Sequence, residues 1–133
     1  MRIFRLKSEL DPQKLCNELE GLDAIAIKTD IVESLEEIEL AWYLAQRAFS
    51  KKKNVGKKLK YEFLLWLSGK TDISSAMEST APKRDAEFLV VVLSDLDNRE
   101  IVKRLNANEK PLGLKKSGDP MKLEQISLSR IKN

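Results

Sequence analysis

The amino-acid sequence predicts an α+β fold, in which a small sheet of three to four strands, mostly antiparallel or mixed, packs with several helices. Residues 88–93 are six consecutive apolar residues, half of them β-branched, which is typical of a central strand buried on both faces. Shorter strand patterns flank a helical pattern near the N-terminus, and helical periodicity dominates the middle of the chain. The length of 133 residues predicts one domain, 1–133.

The N-terminal part of the chain is predicted to form a strand, a helix and a second strand. In residues 2–6 the apolar Ile3 lies between the charged Arg2 and Arg5, which indicates a short strand, and residues 24–28 place Ile25 and Ile27 inward. Between them, Asp11 suits a helix N-cap, Pro12 suits the first helical position, and Gly21 is expected to end the helix. This order suggests a βαβ unit, and an antiparallel return of the second strand remains open.

Two longer helices are predicted in the middle of the chain. Ser34 followed by Glu37 is a capping-box pattern, and apolar residues at helical spacing come after it. They are Ile38, Ala41, Trp42, Ala45, Ala48 and Phe49. The next helix, 57–68, is apolar nearly all round in its second half, so it is either central to the core or covered by a partner. Gly69 suits a left-handed cap, and Asp72 caps a short helix after it.

The C-terminal part continues with a helix over 95–107. A loop is predicted over 108–120, because two prolines and two glycines stand there among lysines. Leu123, Ile126 and Ile131 fit a final helix, whereas Leu128 also fits a strand.

Several residue types that enzymes need are missing from this chain. It has no histidine, which excludes a Ser-His-Asp or Cys-His catalytic set and a zinc site built from cysteine and histidine. Cys16 is alone, so no internal disulfide forms, and the five glycines make no phosphate-binding loop. No apolar run approaches the roughly 20 residues that span a bilayer. We therefore expect a non-catalytic, cytoplasmic protein without a cofactor.

The basic residues are concentrated in one window, which we call the lysine cluster. Positions 51–70 contain seven lysines and one acid, Glu62, a net charge of +6 against +3 for the whole chain. The seven are Lys51, Lys52, Lys53, Lys57, Lys58, Lys60 and Lys70. Such a focus of charge predicts binding of nucleic-acid phosphates, whereas the alternative is a hydrated helix end whose lysines complement the helix dipole. Lysine favours contacts with phosphates over reading of base edges.

The aromatic residues beside these lysines have two interpretations. Tyr61, Phe63 and Trp66 can stack on unpaired bases, but their place on the apolar stripe favours core packing. Trp42 and Phe49 are predicted to be core residues. The turn after Gly69 would leave backbone N–H groups near Lys70, Asp72 and Ile73, and such a helix start can hold a phosphate or a terminal hydroxyl group.

A motif of ordered residues resembles one known family. The motif consists of Ala48-Phe49, Asn54, Lys57-Lys58-Leu59, Glu62-Phe63-Leu64-Leu65-Trp66-Leu67-Ser68-Gly69, Ile73 and Ala76. It is similar to the small subunit of the KEOPS (EKC) complex that binds the PRPK/Bud-type kinase. The resemblance implies a mixed α and β fold without catalytic activity, bound to the small atypical kinase/ATPase of the complex. It also implies a part in threonylcarbamoyladenosine synthesis on tRNA, with capture of the 3′ CCA end in archaeal members.

The resemblance carries an RNA-binding role onto residues of the motif and the cluster. They are Lys51, Lys52, Lys53, Asn54, Lys57, Lys58, Lys60, Gly69, Lys70 and Ile73. The chain departs from the family at Arg47, where a histidine is frequent, and at Lys70, where an arginine is frequent. The alternative function is a protein-interaction module that regulates the kinase without touching RNA. Salt dependence separates the two functions, because phosphate neutralisation weakens steeply with salt.

Overall fold

The computed structural model describes residues 1–129, and within them the chain forms two compact units. The first unit consists of Met1–Thr29 and Ala81–Gly113, and the second of Asp30–Thr80 and the chain from Leu114 onward. The described residues contain six α-helices and one four-stranded antiparallel sheet, which confirms the predicted α+β fold. The expectation of one domain over 1–133 stays a prediction.

The bounds of the elements follow from local hydrogen bonding. The strands are β1 (Arg2–Ser8), β2 (Ala24–Lys28), β3 (Phe88–Val92) and β4 (Ala107–Lys110). The helices are α1 (Pro12–Leu19), α2 (Leu35–Ser50), α3 (Leu59–Ser68), α4 (Ile73–Thr80), α5 (Asn98–Arg104) and α6 (Pro120–Leu128). None of these helices is both long enough and apolar enough to cross a lipid bilayer.

The sheet of the first unit has the order β2-β3-β1-β4, and every neighbouring pair is antiparallel. Because β3 pairs with both β1 and β2, those two strands run parallel to each other with β3 between them. The predicted βαβ unit therefore exists in split form. Val90 lies between Phe4 and Ala26 in the register, and all five residues of β3 are buried, which confirms the central strand.

The core of the first unit lies on one face of this sheet. Alternate residues of the three long strands pack there with residues of α1, α5 and the residue after α5. They are Phe4, Leu6, Ala24, Ala26, Phe88, Val90, Val92, Leu15, Leu19, Ile101 and Leu105. Asp11 caps α1 as predicted, since its carboxylate accepts a hydrogen bond of 2.9 Å from the N–H of Lys14.

Three predicted boundaries in the first unit are wrong. The helix over 95–107 is shorter, because Asp97 caps α5 and Asn106, at φ 48°, turns the chain back. The next residues form the edge strand β4, which pairs with β1. This strand is polar and partly exposed, so no apolar alternation signals it. Gly21 does not cap α1, which ends at Leu19, and its φ is not positive.

The C-terminal loop prediction is wrong at its other end as well. Asp119 caps α6 by accepting a hydrogen bond of 3.1 Å from the N–H of Met121, and Pro120 is the first helical residue. Leu128 belongs to α6, so the helical alternative is correct there. Ile131 lies outside the described residues.

The second unit is helical. α2 packs against α3 and α6, and α3 packs also against α4. The predicted stripe of α2 is buried at Ile38, Ala41, Ala45 and Ala48, whereas Trp42 and Phe49 are only half-buried. α3 is buried from Glu62 to Leu67. Of the two predictions for this helix, a position in the core is therefore correct, and cover by a partner is not needed to bury it.

Candidate functional site

The C-terminal end of α2 is a Schellman motif made from three consecutive lysines. The N–H of Lys53 donates to the carbonyl of Ala48 at 2.8 Å, and the N–H of Lys52 donates to that of Phe49 at 3.1 Å. Lys52 has a φ of 56°, in the left-handed region where glycine is usual. A side chain there costs about 1–2 kcal/mol. The side chains of Lys51, Lys52 and Lys53 are all exposed.

A buried carboxylate fixes the loop that follows these lysines. Glu62 is 0 % exposed, and its Oε1 accepts hydrogen bonds from the N–H groups of Val55 at 2.9 Å and Gly56 at 2.8 Å. Its Oε2 accepts a hydrogen bond of 3.1 Å from the indole Nε1 of Trp66. The amide of Asn54 donates to the carbonyl of Gly56 at 2.9 Å. A buried carboxyl group needs such partners, and these bonds hold the loop 54–56 against α3.

Close packing fixes the same loop at Gly56. A Cβ atom added at this position would lie 2.8 Å from the backbone nitrogen of Glu62, which real Cβ atoms do not tolerate. The loop therefore approaches α3 as near as a glycine permits. Asn54 and Gly56 are residue types that favour turns, but nothing in the local sequence indicates the attachment of this loop to Glu62.

The start of α3 places two exposed lysines at an unfavourable position. Lys58 is the N-cap, and its side chain makes no capping hydrogen bond. Lys57 precedes it, and both side chains are exposed. Positive charges at a helix N-terminus oppose the helix dipole, whereas Lys51, Lys52 and Lys53 at the end of α2 complement it. The dipole interpretation of the lysine cluster therefore holds for only part of the cluster.

One predicted site residue does not lie on this surface. Lys60 is 4 % exposed, and its Nζ lies 5.3 Å from the centroid of the Tyr61 ring. The reason is that α3 is buried on nearly all sides, so a lysine within it is enclosed as well. Phe63 and Trp66 are 0 % and 9 % exposed, which confirms that they are core residues. We therefore remove Lys60 from the candidate site.

The turn after α3 differs from the predicted anion site. Gly69 is left-handed at φ 71°, as expected. The N-terminus of α4, however, is already capped, since the N–H of Ser75 donates to Asp72 at 2.8 Å. The backbone N–H and then the hydroxyl of Ser75 hold the pKa of Asp72 below its usual value, so this carboxylate is ionised at neutral pH. A phosphate would meet a negative charge there, and Ile73 is half-buried. This helix start is not a phosphate site.

A cavity of about 250 Å³ lies in the second unit beside Gly69. Lys70, Ser68 and Trp66 line it from the end of α3, and Lys122 of α6 lines it with Glu37 of α2. Lys70 is exposed, and its backbone N–H donates to the hydroxyl of Ser68 at 3.2 Å. The sequence pattern did not point to Lys122, because α6 was only partly recognised.

Glu37 gives this cavity a buried acceptor. The residue is 1 % exposed, and its Oε2 accepts hydrogen bonds from the N–H of Glu33 at 3.0 Å and the hydroxyl of Ser34 at 2.8 Å. Its Oε1 lies 3.5 Å from Nζ of Lys122 and has no hydrogen-bond donor. The capping-box pattern predicts that this carboxylate turns back to the start of α2, although its backbone donor is Glu33 and not the N-cap residue Ser34. The pattern does not predict the contact with Lys122.

The predicted site residues thus fall into two groups. Lys51, Lys52, Lys53, Asn54, Lys57 and Lys58 lie together in the connection between α2 and α3. Gly69 and Lys70 follow the other end of α3, which is roughly 15 Å away for a helix of this length. Among the described residues, no three or more acidic or cysteine side chains are grouped to hold a metal ion.

Comparison with known proteins does not identify a family for this chain. No family model matches the chain, and no curated protein matches it. The resemblance to the KEOPS kinase-binding subunit therefore depends on the motif residues alone.

Proposed function

We propose that this protein is a non-catalytic, cytoplasmic subunit of a KEOPS-type complex. In this role it binds the small atypical kinase/ATPase of the complex and helps to recruit tRNA, through the 3′ CCA end, for threonylcarbamoyladenosine modification. The kinase and the modification reaction come from the resemblance of the motif. The RNA-binding part has independent physical support in the arrangement of the lysines.

The observation that carries the proposal is that two exposed lysines stand where local stability favours other residues. Lys52 is left-handed, where glycine is favoured, and Lys58 is an N-cap without a capping bond, where serine, threonine, aspartate or asparagine is favoured. A sequence selected for stability alone would not place lysine at both positions. Binding of a polyanion explains why the positive charges are there.

The rigidity of the loop supports the same function. Glu62 holds the backbone of Val55 and Gly56, so the lysines on either side project from a fixed base. A preorganised site loses less conformational entropy on binding. If three to five phosphates of a single strand are neutralised, the log–log slope of affinity against salt is about −2 to −3.5.

The cavity beside Gly69 supports recognition of a strand end. Its lining includes the exposed Lys70 and the partly exposed Lys122, whose ammonium groups can hold the phosphate of a terminal nucleotide. Glu37 Oε1 lies too deep to contact that nucleotide, and it positions Lys122 through the 3.5 Å ion pair instead. In this proposal the exposed lysines between α2 and α3 (Lys51, Lys52, Lys53, Lys57 and Lys58) hold the RNA backbone, and the cavity holds the terminal nucleoside.

Filter binding of tRNA tests the proposal. We expect the double variant Lys57→Glu with Lys58→Glu to lose most of its affinity for tRNA at low salt. The control, Lys7→Glu with Lys103→Glu, makes the same charge change at exposed residues of the first unit and should keep most of that affinity. The Lys57 and Lys58 variant should fold at least as well as the original, because glutamate suits a helix N-terminus. An equal loss of tRNA affinity in the two double variants would refute the assignment of the RNA-binding site to the lysine cluster.

The substrate end and the partner need their own measurements. Removal of the CCA end should weaken binding more than alteration of the anticodon loop, and the opposite result discards end capture. Pull-down of the purified kinase tests the partner. A protein that fails to bind tRNA in dilute buffer but retains the kinase, with little effect of salt on that complex, would favour the alternative of a protein-interaction module.

A further inference from the structure

Tyr43 is an aromatic residue that packing does not explain. Its side chain is 57 % exposed in the middle of α2, whereas every other aromatic residue among residues 1–129 is buried or half-buried. α2 buries a different face, which carries Ile38, Ala41, Ala45 and Ala48. The ring is therefore presented to solvent by a rigid helix.

Basic residues continue the same face of α2 towards the lysine cluster. Arg47 lies one turn after Tyr43 and Lys51 one turn after that, and all three are exposed. The rise of an α-helix puts the Cα atoms of Tyr43 and Lys51 about 12 Å apart. Glu39, one turn before Tyr43, is acidic and exposed. The positive charge therefore lies only on the C-terminal side of the ring.

An exposed ring beside a line of positive charge is the arrangement of proteins that bind single-stranded nucleic acid. We propose that Tyr43 stacks on an unpaired base of RNA whose phosphates are held by Arg47 and the lysine cluster. This inference depends on the proposed function and deepens it, because lysines contact phosphates and Tyr43 supplies a base contact. Arg47 can hold a phosphate by two parallel hydrogen bonds, which lysine cannot do.

The surroundings of Tyr43 favour RNA over a protein partner. Of its four neighbours one turn away on α2, Glu39, Gln46 and Arg47 are polar and exposed, and Leu40 is half-buried. A protein interface has an apolar centre, and one exposed ring beside three polar side chains does not make one. The strand is single because a ring reaches the face of a base only when that base is unpaired.

Binding of labelled oligonucleotides tests this inference. We compare a 12-nucleotide single-stranded RNA with a strand of the same length and charge that has abasic sites throughout, both at low salt. Tyr43→Ala should weaken binding of the normal strand by about 5- to 100-fold and leave the abasic strand unchanged. Tyr43→Phe, which keeps the ring, should bind both strands like the original protein. Thermal unfolding verifies that each variant is folded.

The outcomes separate this inference from the proposed function. Equal loss on both strands, or no loss on either, overturns stacking by Tyr43 while binding of RNA by the lysines stands. An original protein that binds neither strand nor tRNA overturns the proposed function and stacking together. If Tyr43→Ala no longer retains the kinase in a pull-down but binds RNA like the original protein, Tyr43 makes a protein contact and the inference is refuted.

Discussion

Replacing Lys52 with glycine separates the stability of the lysine cluster from its charge. Lys52 is the left-handed residue of the Schellman motif at the end of α2, and the backbone hydrogen bonds of that motif do not involve its side chain. The variant Lys52→Gly therefore keeps the turn, relieves the left-handed strain and removes one ammonium group. We expect a protein that is more stable and binds RNA less well.

The magnitude follows from three opposing contributions. Relief of the left-handed conformation contributes about 1–2 kcal/mol. The greater freedom of glycine in the unfolded chain opposes it by about 0.4–1 kcal/mol, and loss of a cation at the helix end opposes it by about 0.3 kcal/mol. At the centre of these ranges the net gain in the free energy of unfolding is about 0.5 kcal/mol. The salt slope of RNA binding should become shallower by about 0.7, the contribution of one phosphate of a single strand.

Lys51→Gly is the matched control. Lys51 has a φ of −90°, so glycine relieves no strain there while the same charge is lost. We expect this variant to be about 0.5–1 kcal/mol less stable than the original and to show a similar loss of RNA binding. Urea unfolding measures stability, and fluorescence anisotropy over a salt series measures binding. If Lys52→Gly is no more stable than Lys51→Gly, the strain argument is wrong, and if it binds RNA with an unchanged slope, Lys52 contacts no phosphate.

Three further predictions concern single residues of the second unit. Glu62→Gln should lower the free energy of unfolding by about 1–3 kcal/mol, because its amide cannot accept from both the loop and Trp66, and urea unfolding that matches the original would contradict this. Lys58→Asp should raise the free energy of unfolding by about 0.5–2 kcal/mol through a new N-cap while weakening RNA binding, and a loss of stability would contradict the helix boundary. Asp72 has a folded pKa below its ordinary value of 3.8, so its stabilisation is present above that pH and lost as pH falls through the folded pKa. Stability compared with Asp72→Ala should therefore differ near neutral pH and converge in acid, whereas a gap that persists at the lowest pH would show that the carboxylate charge is not responsible.

The features predicted correctly from the sequence are those that neighbouring residues determine. Asp11 and Ser34 cap their helices because their side chains reach a backbone N–H three residues away. Gly69 ends α3 in the left-handed conformation, which glycine adopts readily because it has no Cβ atom. β3 was recognisable because a strand buried on both faces is apolar throughout.

The features that the sequence did not indicate depend on distant residues. β4 exists because its backbone pairs with β1, with Glu109 opposite Leu6, and an edge strand of polar residues has no pattern of its own. Lys52 takes the position of a glycine, so nothing in the local sequence marks the turn that it makes. The burial of Lys60 depends on the helices around α3. The sequence therefore predicted Lys60 to be exposed like the other lysines of the cluster.

The motif behind the family resemblance combines two physical roles, and they do not support the proposed function equally. Glu62, Phe63 and Trp66 are buried, so their presence is accounted for by the packing of α3 and the attachment of the loop 54–56. Any protein with this helix and loop needs them, whatever it binds. Lys57 and Lys58 are exposed and make the start of α3 less stable, so packing does not account for them. The resemblance in the buried part therefore supports the fold, and only variants of the exposed lysines can test the binding of RNA.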